Sequence, residues 1–376
     1  MRSRLPRGDI RLLAGGAALT AATAVTHYVH SGRVVPFVVA AVALGALAAI
    51  VGRGVDRLGD RLGSGMTGVV QSALGNLPEL FFGIFALRAG LVGVLQAALI
   101  GSILANVLLV LGLAFMIGGL KHGTQRFSAD SAGLIVVLLV LAVSVLMIPT
   151  LGVHLDPAVR HHKVALSDVA AVVLLVVFVL SAPRSVRREG TDEGDPTLGV
   201  LATPAAGEPE PSDPNARGPT TDPHWSITLV VATLLVSSIA AAFVSSWFVT
   251  ALTPALSALH MSEAFAGLVV VAIAGNAVEN VVGLQLAARN RSDYALSVIL
   301  QSPVQIALVL MPVLVLFSRV IGGAQFTLVL SPLLAVVLAL TALIAAVVVL
   351  DGESTWLEGA CLVGLYVVIA TCFWWG

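Results

Sequence analysis

The stretch Gly75-Asn76-Leu77-Pro78-Glu79 lies inside a long apolar run, and Gly275-Asn276-Ala277-Val278-Glu279 repeats its pattern 200 positions later. Both stretches read Gly-Asn-x-x-Glu. A carboxylate at membrane depth is costly and therefore marks a functional site by default. Two such acids in matching contexts predict a duplicated membrane protein with one shared site at the interface between the repeats.

The composition indicates a membrane protein built from helices. Of its 376 residues, 58% are hydrophobic and 11% are charged, and the mean hydropathy is +1.00. One soluble core cannot bury that much apolar surface. Apolar runs of about 20 residues, long enough to cross a bilayer as helices, recur along the chain. The short alternating segments typical of a membrane β-barrel do not occur.

Eleven apolar runs are predicted to span the membrane. They lie near residues 10–30, 34–52, 66–88, 92–118, 129–150, 164–182, 225–250, 263–288, 294–318, 326–350 and 355–375. The segment between the sixth and seventh runs is rich in Pro, Gly and charge, which is typical of a flexible linker. The first run has an alternative interpretation as a signal peptide, since Ala22-Thr23-Ala24 resembles a cleavage site.

This count predicts an all-α polytopic fold with two five-helix repeats and one leading helix. An odd number of spans in each repeat places the two copies in opposite orientations, which makes the repeat inverted. The predicted units are a leading transmembrane helix in 1–33, a first repeat in 34–182, a cytoplasmic linker in 183–224 and a second repeat in 225–376.

The placement of Lys and Arg predicts the orientation. With a cytoplasmic N-terminus, fifteen of the twenty basic residues fall in cytoplasmic segments. The five on the other side are Arg33, Arg88, Arg160, Lys163 and Arg319. Because cytoplasmic loops carry an excess of Lys and Arg, this split favours a multi-pass protein of the cell membrane with a cytoplasmic N-terminus and a C-terminus on the opposite side.

The two motif regions supply the ligands of a hard cation. In the first, Asn76 and Glu79 carry oxygen atoms, and Pro78 removes a backbone donor and so frees a carbonyl group. Carboxylate, amide and carbonyl oxygens suit Ca²⁺, which takes about 6–8 of them. Broken helices are tolerated in membranes where they line a cavity, and the residues predicted to break them are Gly75, Pro78 and Gly275.

The span after each motif adds polar residues at the same offset. The first repeat has Gly101-Ser102-Ile103-Leu104-Ala105-Asn106, and the second has Gln301-Ser302-Pro303-Val304-Gln305. The predicted ligands are therefore Glu79, Glu279, Asn76, Asn276, Ser102, Asn106, Ser302 and Gln305. Two alternatives stay open: glycines such as Gly101 and Gly275 also serve close helix packing, and amides such as Asn106 and Gln305 also join helices by hydrogen bonds.

The paired motifs resemble the two alpha repeats of calcium/cation antiporters, and most of all the calcium/proton exchanger branch. The resemblance implies eleven spans, an inverted repeat, and two glutamates that bind the cation and also exchange protons. Asn76 in the first motif favours proton coupling, because sodium/calcium exchangers usually carry Thr there. Two departures are Asn280, where the proton exchangers often have His, and Gln301-Ser302-Pro303, which replaces a more usual Gly-Ser-Ser.

The predicted function is export of Ca²⁺ from the cytoplasm in exchange for protons, by alternating access. The alternative is a sodium or potassium/proton antiporter that uses the same carboxylate site. No nucleophile or metal-site spacing accompanies the glutamates, so the sequence predicts no enzyme and no cofactor. The expected partners are membrane lipid, Ca²⁺ and protons, without nucleic acid, and nothing in the sequence indicates an oligomer.

Overall fold

The computed structural model describes residues 6–29, 31–62, 76–181 and 225–375, and these are almost entirely helical. The first-half helices are α1 (Arg7–Tyr28), α2 (Val35–Leu62), α3 (Leu77–Arg88), α4 (Val92–Leu104), α5 (Leu111–His122), α6 (Ala129–Leu155), α7 (Pro157–Arg160) and α8 (Lys163–Ser181). The second-half helices are α9 (Ile227–Leu259), α10 (Glu263–Phe265), α11 (Ala272–Gly275), α12 (Ala277–Ala288), α13 (Ser292–Gln305), α14 (Met311–Phe317), α15 (Pro332–Val349) and α16 (Trp356–Trp374). Short π-helical segments at Ala105–Val110, Ala266–Val271 and Ile306–Leu310 join α4 to α5, α10 to α11, and α13 to α14.

Every predicted apolar run contains a helix. In the described ranges eight helices are long and apolar enough to cross a membrane, or nine if the bent pair Glu263–Gly275 and Asn280–Ala288 forms one span. Of the other two runs, the first forms the less apolar α1 and the third is described only from residue 76 onward. The predicted multi-pass helical architecture is confirmed, and the number eleven stays a prediction.

The two halves repeat the same order of elements. The motif helices α3 and α12 each have 12 residues and begin 200 positions apart, at Leu77 and Ala277. The next helices, α4 and α13, begin at Val92 and Ser292, and each continues into a π-helical segment. The offset of 200 positions between the polar residues of the two repeats therefore also separates the starts of the corresponding helices.

The spans that follow the motifs form the centre of the molecule. In the most apolar 18-residue stretch of each segment, 78% of the residues are buried within 92–122 and 89% within 292–317. The corresponding shares are only 22% in α8 and 28% in α16. The outer helices expose apolar side chains, such as Val172 and Val176 on α8, as expected of helices that face lipid. The predicted ligands on 92–122 and 292–317 thus lie at the best shielded positions.

One stretch differs from the sequence-based expectation. The predicted span at 326–350 begins as an irregular segment without helix or strand, and its helix starts only at Pro332, where Ser331 caps the N-terminus by accepting a hydrogen bond from Leu334 N. Phe326, Leu328 and Leu330 in this irregular segment are fully buried. Its backbone is held by side chains of neighbouring helices: Gln96 Nε2 donates to Thr327 O and Val329 O, and Thr150 and Ser167 bind further groups. Irregular backbone is stable in a membrane when protein groups satisfy it in this way.

A small antiparallel ribbon joins the two halves. Strand β1 (Gln125–Arg126) follows α5 and pairs with β2 (Glu353–Ser354), which precedes α16. Arg126 Nε lies 3.1 Å from Glu353 Oε1 across the ribbon. Shortly after β1, the backbone N–H group of Ser128 donates a hydrogen bond to Asp293 Oδ1. The loop that follows α5 is therefore held both to β2 and to the start of α13.

Candidate cation-binding site

The second motif interrupts its helix at the asparagine, and in the first motif the described helix begins directly after the asparagine. Asn76 has φ −93° and ψ 18° and precedes α3, while Asn276 has φ −96° and ψ 21° and separates α11 from α12. At the second motif the two helical parts are bent by 63°. The second motif has no proline, so Pro78 alone does not explain the break. Asn competes with the helix by bonding backbone groups locally, and Asn276 Nδ2 donates to Ala272 O at 2.9 Å.

Glu79 of the first repeat reaches the break of the second. A Cβ placed on Gly275 would lie 2.8 Å from Glu79 Oε1, so the absence of a side chain at residue 275 makes room for this carboxylate. Glu79 stands in the first turn of α3, where the positive end of the helix dipole favours a carboxylate. The break of the second motif also ends α11, whose last carbonyl groups point along the helix axis. Acid and carbonyl groups therefore meet at one place.

Amide and hydroxyl groups link the repeats around this place. Asn76 Nδ2 donates to Gln305 Oε1 at 3.2 Å, a bond between residues 229 positions apart. Ser302 Oγ donates to Asn276 Oδ1 at 2.8 Å. Asn106 Nδ2 lies 3.5 Å from Ser302 Oγ and also donates to Ser102 O at 2.9 Å. All of these side chains are at most 9% exposed.

The structure brings most of the predicted ligands together. Glu79, Asn76, Asn276, Ser102, Asn106, Ser302 and Gln305 are described, and their motifs are in contact across the repeat interface. Glu279 holds the third position of α12, as Glu79 does in α3, but its side chain lies outside the described residues. Gly75 also lies outside them. Of the other predicted break residues, Pro78 is buried at the start of α3 and Gly275 ends α11.

The glycine beside the first polar pair has a packing role. A Cβ on Gly101 would lie 2.3 Å from the backbone oxygen of Leu268, and one on Gly267 would lie 2.5 Å from Val94 O. Helix α4 and the π-helical segment at Ala266–Val271 therefore touch backbone to backbone. Small residues permit this approach between membrane helices. This contact places α4 against the segment that leads into the second motif.

Sequence reasoning missed two amides of the motif regions as site residues. The Asn280 Oδ1 atom and both polar atoms of Gln301 are buried and have no hydrogen-bond partner within the described residues. Both residues were noted as departures from the resembled pattern and were given no role. The observation that identifies them is the lack of hydrogen-bond partners for these buried atoms, which can be seen only in the structure.

The family assignment follows from comparison with known proteins. The model of the sodium/calcium exchanger protein family matches residues 33–184 and 229–375. The chain belongs to this family. Its matched segments contain both motifs and leave out residues 185–228. Members of the family are transporters, so the prediction that the chain is not an enzyme is confirmed.

Individual exchangers resemble nearly the whole chain. A Ca²⁺/H⁺ antiporter of Aphanothece halophytica is 30% identical over 354 residues, and one of Synechocystis sp. is 32% identical over 351 residues, with 92% of each chain covered in both comparisons. The solved structure of native YfkE has a TM-score of 0.77 at 28% identity and covers 97% of this chain and 99% of its own. The structure of the H⁺/Ca²⁺ exchanger CAX, at 15% identity and a TM-score of 0.69, shares the fold over 97% of this chain and 91% of its own. That fold has inverted repeats, so the predicted fold class is confirmed.

Proposed function

We propose that the chain is a calcium/proton antiporter in which Glu79 and Glu279 form one shared site for the cation and for protons. Asn76, Asn276, Ser102, Asn106, Ser302 and Gln305 complete the site with neutral oxygen ligands. The observation that carries this proposal is the position of Glu79 Oε1, which would lie 2.8 Å from a Cβ on Gly275, because it brings the acid of the first motif to the helix break of the second.

Competition at the carboxylates couples the two ions. Burial favours the protonated form of a carboxyl group, and a bound cation favours the charged form. Two carboxylates therefore hold either protons or a divalent cation at one time. Since two negative charges balance one Ca²⁺, the loaded site has a similar charge in both states. The repeats then expose the site to each side of the membrane in turn, as in other inverted-repeat transporters.

The proposed direction is export of Ca²⁺ from the cytoplasm, driven by proton entry across a cell membrane. The excess of Lys and Arg in alternate loops supports a cytoplasmic N-terminus and linker. The printed names of the relatives, Ca²⁺/H⁺ antiporters from two bacteria, support the pair of ions. Sodium or potassium in place of Ca²⁺ is the alternative that the experiment distinguishes.

The experiment measures collapse of a pH gradient in inverted vesicles on addition of Ca²⁺, Na⁺ or K⁺. We expect Ca²⁺ to drive proton flux in the wild type, and Glu79→Gln or Glu279→Gln to abolish it, because one carboxylate cannot balance a divalent cation in a low-dielectric site. Glu79→Asp keeps the charge with a shorter reach and should retain part of the flux at lower apparent affinity.

The matched control is Asp293→Asn. The Asp293 side chain is exposed, and its carboxylate accepts a hydrogen bond from Ser128 N. The amide oxygen of Asn can accept the same bond, so this variant should transport normally. Normal Ca²⁺-driven flux in either Glu→Gln variant, at wild-type expression, would overturn the shared-carboxylate site. Flux driven by Na⁺ or K⁺ but not by Ca²⁺ would support the alternative ion.

A further inference from the structure

Three amide groups of the motif regions have buried oxygen atoms without hydrogen bonds. Among the described residues, the buried side-chain amide oxygens that lack a partner are those of Asn106, Asn280 and Gln301. Leaving a buried acceptor unpaired is costly, and native proteins seldom do so without reason. Their concentration in the two motif regions, and nowhere else in the described chain, points to a ligand that these oxygens meet during transport.

Gln301 is the most unusual of the three. Its side chain is 2% exposed, and its nitrogen as well as its oxygen lacks a partner within the described residues. The position related to it by the repeat offset is Gly101, which has no room for a side chain because Leu268 backbone lies against it. The two repeats therefore differ here, and the amide belongs to the second repeat alone.

The position of Gln301 places it beside the site. It stands four residues before Gln305 on α13, so the two side chains lie on the same face of the helix. Gln305 Oε1 accepts the hydrogen bond from Asn76 Nδ2 at 3.2 Å. One helical turn, roughly 5–6 Å, separates Gln301 from that bond. Under the proposed orientation, it lies on the cytoplasmic side of the site.

Packing does not explain this residue, because an apolar side chain of similar volume would fill the space without leaving an amide unpaired. An amide oxygen is a hard ligand, and Ca²⁺ takes about 6–8 oxygens at a site. We propose that Gln301 is a specificity-determining residue whose amide oxygen binds the divalent cation on the cytoplasmic side of the glutamate site. This inference rests on the proposed function and extends its ligand set.

The test compares Gln301→Met with wild type in reconstituted vesicles and in detergent. Met has a similar length and volume but no amide. We expect the apparent KM for Ca²⁺ to rise about tenfold, as expected when a hydrogen-bonding or ligating group to a charge is lost, with the maximal rate nearly unchanged. The ratio of Ca²⁺ to Sr²⁺ transport should also change. Without Ca²⁺, the melting temperature should stay the same or rise, because the unpaired amide is gone.

The control is Leu300→Met, a volume-conserving change at a fully buried neighbour on the same helix, which should leave the KM and the ion ratio unchanged. An unchanged KM and ion ratio in Gln301→Met would overturn the inference, and so would a lower melting temperature without a KM change, which would assign a packing role. Absence of Ca²⁺-driven flux in the wild type would instead contradict the proposed function, so the two failures are distinguishable.

Discussion

The two polar atoms of the Asn106 amide have different surroundings. Its Nδ2 group contacts Ser102 O and Ser302 Oγ, which ties α4 to α13. Its Oδ1 atom is fully buried and has no partner within the described residues. The nitrogen therefore fixes the direction of the oxygen. Under the proposed function, the two interpretations that the sequence left open, interhelical hydrogen bonding and cation binding, would apply to different atoms of the same side chain.

This division of roles predicts the effect of Asn106→Ala. The change removes a neutral ligand but no titratable charge, so we expect the apparent KM for Ca²⁺ to rise about five- to tenfold while the maximal rate falls less. The measurement is Ca²⁺-dependent proton flux over a range of Ca²⁺ concentrations. Asn215→Ala in the linker is the control and should behave as wild type. A loss of maximal rate with an unchanged KM would assign Asn106 to gating instead.

At the residue scale, spacing was enough to select the candidates but not their partners. The common offset of 200 positions identified Glu79, Ser102 and Ser302 from the sequence. The bond between Asn76 and Gln305, and the carboxylate of Glu79 over Gly275, depend on how the two repeats approach each other. No pattern within one helix contains that information. For the same reason Gln301 appeared only as a departure from a pattern.

At the scale of elements, the breaks and close contacts of helices set the geometry of the site. The sequence predicted broken helices from Gly and Pro, and in the second motif the break lies at Asn276, directly after Gly275, in a motif without proline. The π-helical segment Ala105–Val110 contains Asn106, and the segment Ile306–Leu310 begins directly after Gln305. Such segments are frequent at functional sites. Apolar runs do not reveal such segments, since their side chains differ little from those of an α-helix.

The backbone contact between α4 and Ala266–Val271 yields a stability prediction. In Gly101→Ala the new Cβ would lie 2.3 Å from Leu268 O, and a backbone atom cannot move aside as a flexible side chain does. We expect the free energy of unfolding to fall by about 1–3 kcal/mol or more, which would be measured as a lower apparent Tm in detergent. Gly133→Ala on α6 meets nothing within 4 Å and should be neutral or slightly stabilising. An equal Tm for both variants would contradict the close contact.

At the scale of the whole molecule, hydropathy predicted the helical architecture well and the detailed spans less well. Each apolar run contains a helix because backbone groups in lipid must be bonded within their own segment. The exception is the irregular stretch before Pro332, which is apolar like the helices but whose backbone groups are hydrogen-bonded by Gln96, Thr150 and Ser167 of other helices. Composition cannot distinguish these two ways of satisfying a buried backbone.

The orientation and the unit boundaries stay predictions. They can be tested at the two loops that are each separated from the linker by one predicted span. His161 follows the short helix α7, and His260 ends α9. One span separates each of them from the linker, so both should lie on the side of the membrane opposite to it. The prediction assigns them to the outside and the linker, in 183–224, to the cytoplasm, because Lys and Arg are concentrated in the linker and its equivalent loops.

Single cysteines make this prediction measurable. Cys361 and Cys372 are both exposed and unpaired, so each is first replaced by Ser. A membrane-impermeant maleimide should label His161→Cys and His260→Cys in intact cells and Ser212→Cys only in inverted vesicles. Labelling of all three from one side would show that a predicted span is wrong. Labelling of Ser212→Cys in intact cells and of the other two only in inverted vesicles would reverse the predicted orientation.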